Sequence, residues 1–278
     1  MKNLILIALF ASLFLTSCEE SASSFSYEKK IVVTGMIESG RTVDTVHLMY
    51  TGEVDKKYDP AAYAITNAVV RIIGVDIIFD DTLVHDPEIP GRYFSAKPLN
   101  IIQATKTYRL EIRMPDGKSV SSITTVPDTF SMIYTTLKHN DTMRYNSGSP
   151  VNFFAWTPSR FHGSYLPTIW SVDSNAARIP KSFIRDTVNN PAPEKLGYRI
   201  GLPKEQTYTE LPWIVLGYFG KTQFDVYAID DNYTSFLNKA AAAQGGELRE
   251  VRYTIQGGLG IFGARTKAKG GITVYISP

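Results

Sequence analysis

Short runs of β-branched and aromatic residues, each ended by turn residues, fill most of this chain and restrict it to β-structure. Residues 108–113 alternate between apolar and polar side chains, as a strand with one buried face does. A Met-Pro-Asp-Gly-Lys turn follows at 114–118, and its Asp-Gly pair is a strong hairpin signal. Residues 119–126 then alternate again. Strands at this spacing, with turns rather than helices between them, predict a β-sandwich.

Further strands are expected along both halves of the chain. They are predicted at residues 31–37, 44–50, 68–73, 151–157, 165–172, 198–202, 213–219, 224–229, 250–254 and 272–276. Residues 232–244 differ, since four consecutive alanines follow Leu237 and Gly245 closes the run. We predict one short helix there, with Asp231 or Asn232 as its N-cap. The predicted fold class is therefore all-β: two β-sandwich-like domains with one short helix near residues 232–244.

The chain divides most readily after Pro127. Before that point the strand pattern is regular, and after it the runs are longer and carry more prolines and aromatic residues. We expect a signal peptide at 1–17, a linker at 18–27 and a prealbumin-like or immunoglobulin-like sandwich at 28–127. A second β-rich domain at 128–278 would hold the helix and the glycine-rich end.

The segment 1–18 resembles the export signal of a bacterial lipoprotein. Lys2 precedes an apolar run at 4–15 that is too short for a membrane span of ~20 residues. A Leu-Thr-Ser-Cys sequence ending at Cys18 resembles a lipobox, in which small residues precede the cysteine that is lipidated. Cys18 is the only cysteine in the 278 residues, so no internal disulfide can form. The resemblance implies a mature chain that starts at Cys18 and is held at a membrane by its acyl chains.

Two acidic residues directly after the cysteine, Glu19 and Glu20, resemble the surface-export signal of Bacteroidetes lipoproteins. A plain solvated linker is the alternative, because residues 19–26 are polar and rich in serine. The expected location is the outer membrane, with the protein lipid-anchored and exposed at the cell surface. The periplasmic face is the alternative location.

Two resemblances concern the folded part. Residues 67–126 are similar to the prealbumin-like sandwiches of carboxypeptidase regulatory domains, through Gly-Arg-Tyr-Phe at 91–94 and Tyr-Arg-Leu-Glu-Ile at 108–112. Nearly all of the mature chain resembles a Bacteroidetes lipoprotein family catalogued as domain of unknown function 4249. Two segments carry that resemblance: Asp-Val-Tyr-Ala-Ile-Asp-Asp-Asn-Tyr at 225–233, where a predicted strand meets the helix, and Gly-Gly-Leu-Gly-Ile-Phe-Gly-Ala at 257–264. Such lipoproteins accompany TonB-dependent outer-membrane transporters, so the resemblance implies a transporter as partner.

The closing segment also has the G-x-G-x-x-G spacing of a dinucleotide-binding loop, at residues 258–263. That loop needs a crossover helix and an acidic residue about 20 positions later, whereas fifteen residues follow Gly263 and none is acidic. We interpret the glycines as structural, in a bulged or crossing segment with Ile261 and Phe262 in the core. A basic loop is expected next, with Arg265, Lys267 and Lys269.

No pattern of catalytic or metal-ligating residues stands out. The four histidines are not spaced for a helical zinc pair, and no G-x-S-x-G elbow is present. A net charge of +2 provides no strong basic field, which argues against nucleic acid as a partner. We expect no catalytic residue, no metal and no cofactor, and a protein that is not an enzyme. Carboxylate pairs that meet only in space are left open.

Aromatic residues in the unfamiliar middle of the chain, residues 140–209, are the candidate ligand contacts. They are Trp170 and the loop tyrosines Tyr145 and Tyr165. Their rings could stack on sugars, although an aromatic residue in a strand packs in a core by default. The expected ligand is a glycan or a peptide.

Three functions are compatible with these observations. The first is a non-enzymatic surface lipoprotein of the outer membrane, acting as an accessory or ligand-binding partner of a TonB-dependent transporter. The second is an adhesin or glycan-binding module that works without a transporter. The third is an envelope hydrolase whose site is assembled across the two domains.

Overall fold

The computed structural model describes residues 27–53, 56–145, 152–173, 177–179, 197–199, 201–211, 215–244 and 254–278. Within these ranges the chain forms sixteen strands and two helices, so the all-β prediction is confirmed. The strands are β1 (Ile31–Glu38), β2 (Val46–Tyr50), β3 (Val69–Gly74), β4 (Asp80–His85), β5 (Arg92–Phe94), β6 (Thr107–Arg113), β7 (Ser119–Thr125), β8 (Met132–Thr135), β9 (Thr142–Arg144), β10 (Asn152–Trp156), β11 (Ser164–Ser171), β12 (Gly197–Arg199), β13 (Tyr208–Leu211), β14 (Gly220–Ile229), β15 (Leu259–Lys267) and β16 (Ile272–Ser277). The helices are α1 (Pro60–Tyr63) and α2 (Asp231–Gln244).

The predicted helix is confirmed as α2, and α1 is an addition that the sequence pattern did not predict. Its four residues are too few to show helical periodicity. It forms because Pro60 is preorganised for the first turn and the carboxylate of Asp59 accepts the N–H of Ala61 at 3.0 Å.

The first core lies between two sheets. One sheet runs β15–β1–β2–β5 and the other runs β7–β6–β3–β4, while β4 joins them by pairing with both β3 and β5. Alternate residues of β1 face this core, so that Val33 is fully buried and Thr34 is exposed. The largest side chains buried here are Tyr93, Tyr108 and Phe262. The sandwich predicted from the alternating strands is therefore present.

A second core lies between the β12–β11–β14 sheet, extended by β16 and β9, and a three-stranded sheet of order β13–β10–β8. Phe154, Trp156 and Tyr165 are its largest fully buried side chains. Helix α2 covers part of the opposite face of β11 and β14. There Leu166, Tyr227 and Ile229 pack against Tyr233 and Leu237 of the helix.

Strand β15 belongs to both halves of the molecule. It pairs in parallel with β1, with Gly260 opposite Val33, and its end pairs antiparallel with β14. The thirteen strands of the large sheet are thereby continuous. Phe262 and Ala264 pack in the first core, although they lie far beyond residue 127 in the sequence. The domain division after residue 127 stays a prediction. In the structure, the first core also includes side chains of β15, which lies in the predicted second domain.

The basic loop expected after Gly263 is instead part of β15. Arg265 and Lys267 lie in the strand, and their side chains pair with Glu38 at 2.6 Å and Asp225 at 2.8 Å. The local sequence pattern could not predict this, because both carboxylates come from distant strands. Lys269 follows the strand, and its backbone N–H donates to the carbonyl of Phe130 at 2.9 Å.

Two glycines of the closing motif allow close approaches to neighbouring elements. Gly260 has a φ of +105°, and a Cβ there would overlap the carbonyl oxygen of Val33 in the paired strand. A Cβ on Gly263 would lie 3.0 Å from Oδ1 of Asp230 and 3.2 Å from Cβ of Tyr233. The motif therefore serves the fold, since it lets β15 approach β1 on one side and α2 on the other.

The Asp-Asp-Asn sequence at 230–232, where α2 begins, joins the two sheets of the first core. Asp230, rather than Asp231 or Asn232, caps the helix, because its Oδ1 accepts the N–H of Tyr233 at 3.0 Å. Its Oδ2 accepts the hydroxyl of Thr124 in β7. The amide of Asn232 donates to the carbonyl of Ile123 in β7 at 2.7 Å and to that of Phe262 in β15 at 3.0 Å. These contacts close the sandwich at its β7–β15 edge.

We expect Gly260→Ala to lower the free energy of unfolding by roughly 4 kcal/mol or more, because the new methyl group meets backbone that cannot move without separating β15 from β1. Gly40→Ala is the matched control. Gly40 also has a positive φ, +79°, but no atom lies within 4 Å of its Cβ position, so only the backbone cost of about 1–2 kcal/mol applies. Urea unfolding measures both losses, and equal losses would contradict the close β1–β15 pairing.

Asp230 makes stability depend on pH in an identifiable direction. Burial raises its pKa from 3.8 to about 6. Between those values the folded chain keeps a proton that the unfolded chain releases, so the contribution of Asp230 to stability falls as pH rises, by about 3 kcal/mol in total. Asp230→Asn retains an oxygen for the cap and cannot ionise. The variant should therefore gain stability over the wild type between pH 4 and pH 7 in urea titrations, and a pH-independent difference would refute this.

Candidate functional site

Two of the three aromatic residues expected to contact a ligand pack in the second core. Tyr165 lies in β11 rather than in a loop and is fully buried. Its hydroxyl oxygen accepts the N–H of Ser159 at 2.8 Å, and burial raises its pKa. Tyr145 is half-buried against the same core, with its ring 6.1 Å from that of Phe219. A fully buried ring offers no surface to a ligand, so Tyr165 serves the core in this structure.

Trp170 lies on the other face of β11. It follows Tyr165 by five positions, and an odd separation along a strand places two side chains on opposite faces. The half-buried indole donates its N–H to Oγ1 of Thr168 at 2.9 Å. The structure therefore does not bring Trp170 and Tyr165 into one site. Cys18, the predicted lipidation site, lies outside the described residues.

A groove with a volume of about 290 Å³ crosses the outer face of the large sheet, where β1, β2 and β15 meet the start of α2. This volume is close to the lower limit of about 300 Å³ for ligand pockets. The parallel register of β1 and β15 sets Glu38 opposite Arg265. The groove is lined by Thr34, Gly35, Met36, Glu38, Arg41, Thr42, Asp44, Thr45, His47, Tyr233, Ile261 and Arg265.

One end of the groove carries an excess of positive charge. The carboxylate of Glu38, whose side chain is 11% exposed, accepts Nε and Nη2 of Arg265 at 2.7 and 2.6 Å. Nε of Arg41 lies 3.2 Å from the other oxygen of Glu38. The Arg265 guanidinium also lies 4.5 Å from the centre of the Tyr227 ring, which favours a cation–π contact. Two guanidiniums around one carboxylate leave one net positive charge.

A cluster with the opposite balance adjoins the other end, where Asp44 and Thr45 line the groove and Arg92 and Asp86 lie outside its lining. Arg92 donates to Asp44 and to Asp86, both at 3.0 Å, and to the hydroxyl of Thr45 at 3.2 Å. Two carboxylates around one guanidinium leave one net negative charge. His47 is half-buried in the groove wall, and its pKa is lowered mainly by burial and further by Arg92. Its imidazole is therefore neutral at pH 7.

This arrangement suits the non-covalent binding of a small ligand with both polar and apolar parts. Charges of both signs can orient the ligand, and Met36, Ile261 and Tyr233 add apolar wall. In the described part of the chain, no three His, Cys, Asp or Glu residues are grouped so as to hold a metal ion. None of the helices described is long and apolar enough to cross a membrane.

Sequence reasoning singled out Arg265 but not the groove around it. The alternation in residues 31–37 does predict that Thr34 and Met36 share an outer face, and Glu38 continues this alternation. No local signal indicates that Arg265 joins them, because it lies 227 positions from Glu38. Only the parallel strand pairing brings the two residues together.

Removal of the Glu38 carboxylate should destabilise the fold, because the guanidinium of Arg265 then loses its partner while its side chain is only 32% exposed. We expect Glu38→Ala to lower the free energy of unfolding by about 2 kcal/mol. Arg41→Ala, which removes a side chain that is 69% exposed, should cost no more than about 0.5 kcal/mol. Urea unfolding compares the two variants, and equally small losses would mean that Glu38 and Arg265 do not pair in solution.

Comparisons with known proteins identify a family but no activity. No curated protein matches the chain at the level of sequence. The solved structures with weak similarity include the FN1–FN3 domains of chicken CNTN1, at 11% identity and a TM-score of 0.26, and CBD12 from CALX1.2, at 9% identity and a TM-score of 0.20. The alignments cover 88% and 86% of this chain and 66% and 99% of the other chains, respectively. Residues 18–270 match the family described as domain of unknown function DUF4249, and the chain belongs to that family.

Proposed function

We propose that the protein is a non-enzymatic lipoprotein of the outer membrane, anchored through Cys18 and displayed at the cell surface. It acts as an accessory, ligand-binding partner of a TonB-dependent transporter. The charged groove beside α2 supports this proposal, because polar groups of β1, β15 and the loop between β1 and β2 converge there on a rigid β-scaffold.

The length of the linker supports a position close to the membrane. Eight residues, 19–26, separate the lipidated cysteine from Tyr27, and they can span at most about 29 Å. The hydroxyl of Tyr27 donates to the carbonyl of Thr51, so the fold is engaged from Tyr27 onward. A body tethered this closely is held within reach of other proteins in the same membrane.

The balance of charges in the groove supports ligand capture over electrostatic attachment to a surface. The positive Glu38–Arg41–Arg265 end and the negative end around Arg92 offset each other. A small ligand with separated polar groups can use both ends. A uniformly charged surface would be attracted by one end of the groove and repelled by the other.

The transporter partnership is tested by recovering the tagged full-length protein from cross-linked membranes of its native host. We expect the wild-type chain to be retained in the membrane fraction and to bring a TonB-dependent transporter with it. Cys18→Ala is the control, since a chain without acyl groups should appear in the soluble fraction and recover no transporter.

Two results would overturn parts of this proposal separately. Mass spectrometry that finds an unmodified thiol at Cys18 removes the anchor. A wild-type protein that stays in the membrane but recovers no transporter removes the partnership and leaves the adhesin and hydrolase readings.

A further inference from the structure

The outer face of the three-stranded sheet carries three neighbouring aromatic rings. Tyr134 in β8 and Tyr208 in β13 are 56% and 52% exposed, and Phe153 in β10 lies half-buried between them. The Phe153 ring centre lies 5.8 Å from that of Tyr134 and 5.7 Å from that of Tyr208. We call this set, Tyr134, Phe153 and Tyr208, the aromatic face.

The register of the strands makes the aromatic face continuous. Ala155 pairs with Tyr134 on one side and with Tyr208 on the other. The Phe153 ring contacts both tyrosine rings, since it is stacked on that of Tyr208 at 22° and tilted by 58° to that of Tyr134. The three rings therefore form one platform, and the small side chain of Ala155 beside them leaves the tyrosines 56% and 52% exposed.

A bulge in β8 adds to the exposed surface. The pairing changes register between Ala155 and Trp156, so that Ile133 is the extra residue of β8. Its side chain is 65% exposed. Bulges re-aim side chains and are common beside binding sites. Together with Tyr134, Ile133 presents apolar surface to solvent that the second core does not use.

These rings are not needed to form the second core. The inward face of the same strands already supplies Phe154, Trp156 and Leu211 to that core. Packing of exposed rings across strands contributes roughly 0.2–1 kcal/mol for each pair, which one threonine or valine pair could also provide. Exposed tyrosines are enriched at interaction surfaces, because the ring is apolar and its hydroxyl group can stay hydrated.

The size and charge of the aromatic face indicate the class of ligand. Strands of four or five residues over two spacings cover roughly 150–250 Å², far less than the ~800 Å² that each partner contributes to a stable protein interface. Among the outward-facing residues of these three strands, Glu210 carries the one charge, opposite Phe153 in the register. A carboxylate repels phosphate but accepts hydrogen bonds from hydroxyl groups.

We propose that the aromatic face binds a neutral glycan, with its sugar rings stacked on the platform that Tyr134, Phe153 and Tyr208 form. The C–H faces of the sugar stack on the rings, and its hydroxyl groups bond to the tyrosine hydroxyls and to Glu210. This site lies on a different sheet from the charged groove and does not depend on a transporter.

Calorimetry with neutral six-sugar oligomers tests the proposal. The full-length protein is purified in a polyoxyethylene detergent, which has no sugar headgroup, and titrated with the hexamers of β-1,4-glucose, β-1,3-glucose, β-1,4-mannose and β-1,4-xylose. At least one oligomer should bind with a Kd below about 1 mM. Tyr134→Ala and Tyr208→Ala should each weaken binding at least tenfold, because each removes one ring of the platform.

Tyr275→Ala is the matched control, because Tyr275 is also 52% exposed but lies on β16 of the large sheet. Binding by this variant should equal that of the wild type, and thermal unfolding confirms that every variant is folded. The proposal is overturned if no oligomer binds, if Tyr134→Ala and Tyr208→Ala bind like the wild type, or if Tyr275→Ala weakens binding as Tyr208→Ala does. None of these results bears on the transporter.

Discussion

The parallel pairing of β15 with β1 is the contact on which the rest of this molecule depends. β15 has β1 on one edge and β14 on the other, so the sheets of the two halves form one continuous sheet. The pairing requires Gly260, since any Cβ there would overlap the Val33 carbonyl. A parallel pair between the first and the fifteenth strand closes a very long loop, and the buried Phe262 side chain helps to offset that entropy.

The candidate groove is a consequence of the same pairing. β15 places Arg265 beside Glu38, and Gly263 lets α2 lie against the strand, which brings Tyr233 to the groove wall. Asp230 and Asn232 hold the start of the helix to β7 and β15. The residues that most resemble the family pattern are thus structural residues that shape the groove. The close approaches at Gly260 and Gly263 account for the glycine motif without reference to a nucleotide.

The candidate site residues show how far sequence reasoning reaches. Tyr165 and Tyr208 are the same residue type in the same unfamiliar middle region, yet one is fully buried and the other is 52% exposed. Alternation indicates that the two faces of a strand differ, but it does not indicate which face meets the core when both contain aromatic residues. The choice of Trp170, Tyr145 and Tyr165 as ligand contacts therefore rested on residue type. The aromatic face became visible only through the cross-strand neighbours of Ala155.

The sequence by itself determined the all-β class, the position of α2 and the inward set of residues in strands such as β6, because alternation with period two and the alanine run are local properties of the chain. Only the tertiary structure decided that Arg265 lies in a strand rather than in a loop, that Asp230 is the helix cap, and that Glu38 and Arg265 share a groove. The physical reason is that strand pairing depends on complementary surfaces far apart in the chain. The alternation of apolar and polar residues in a strand is the same whichever strand it pairs with, so it does not identify the partner.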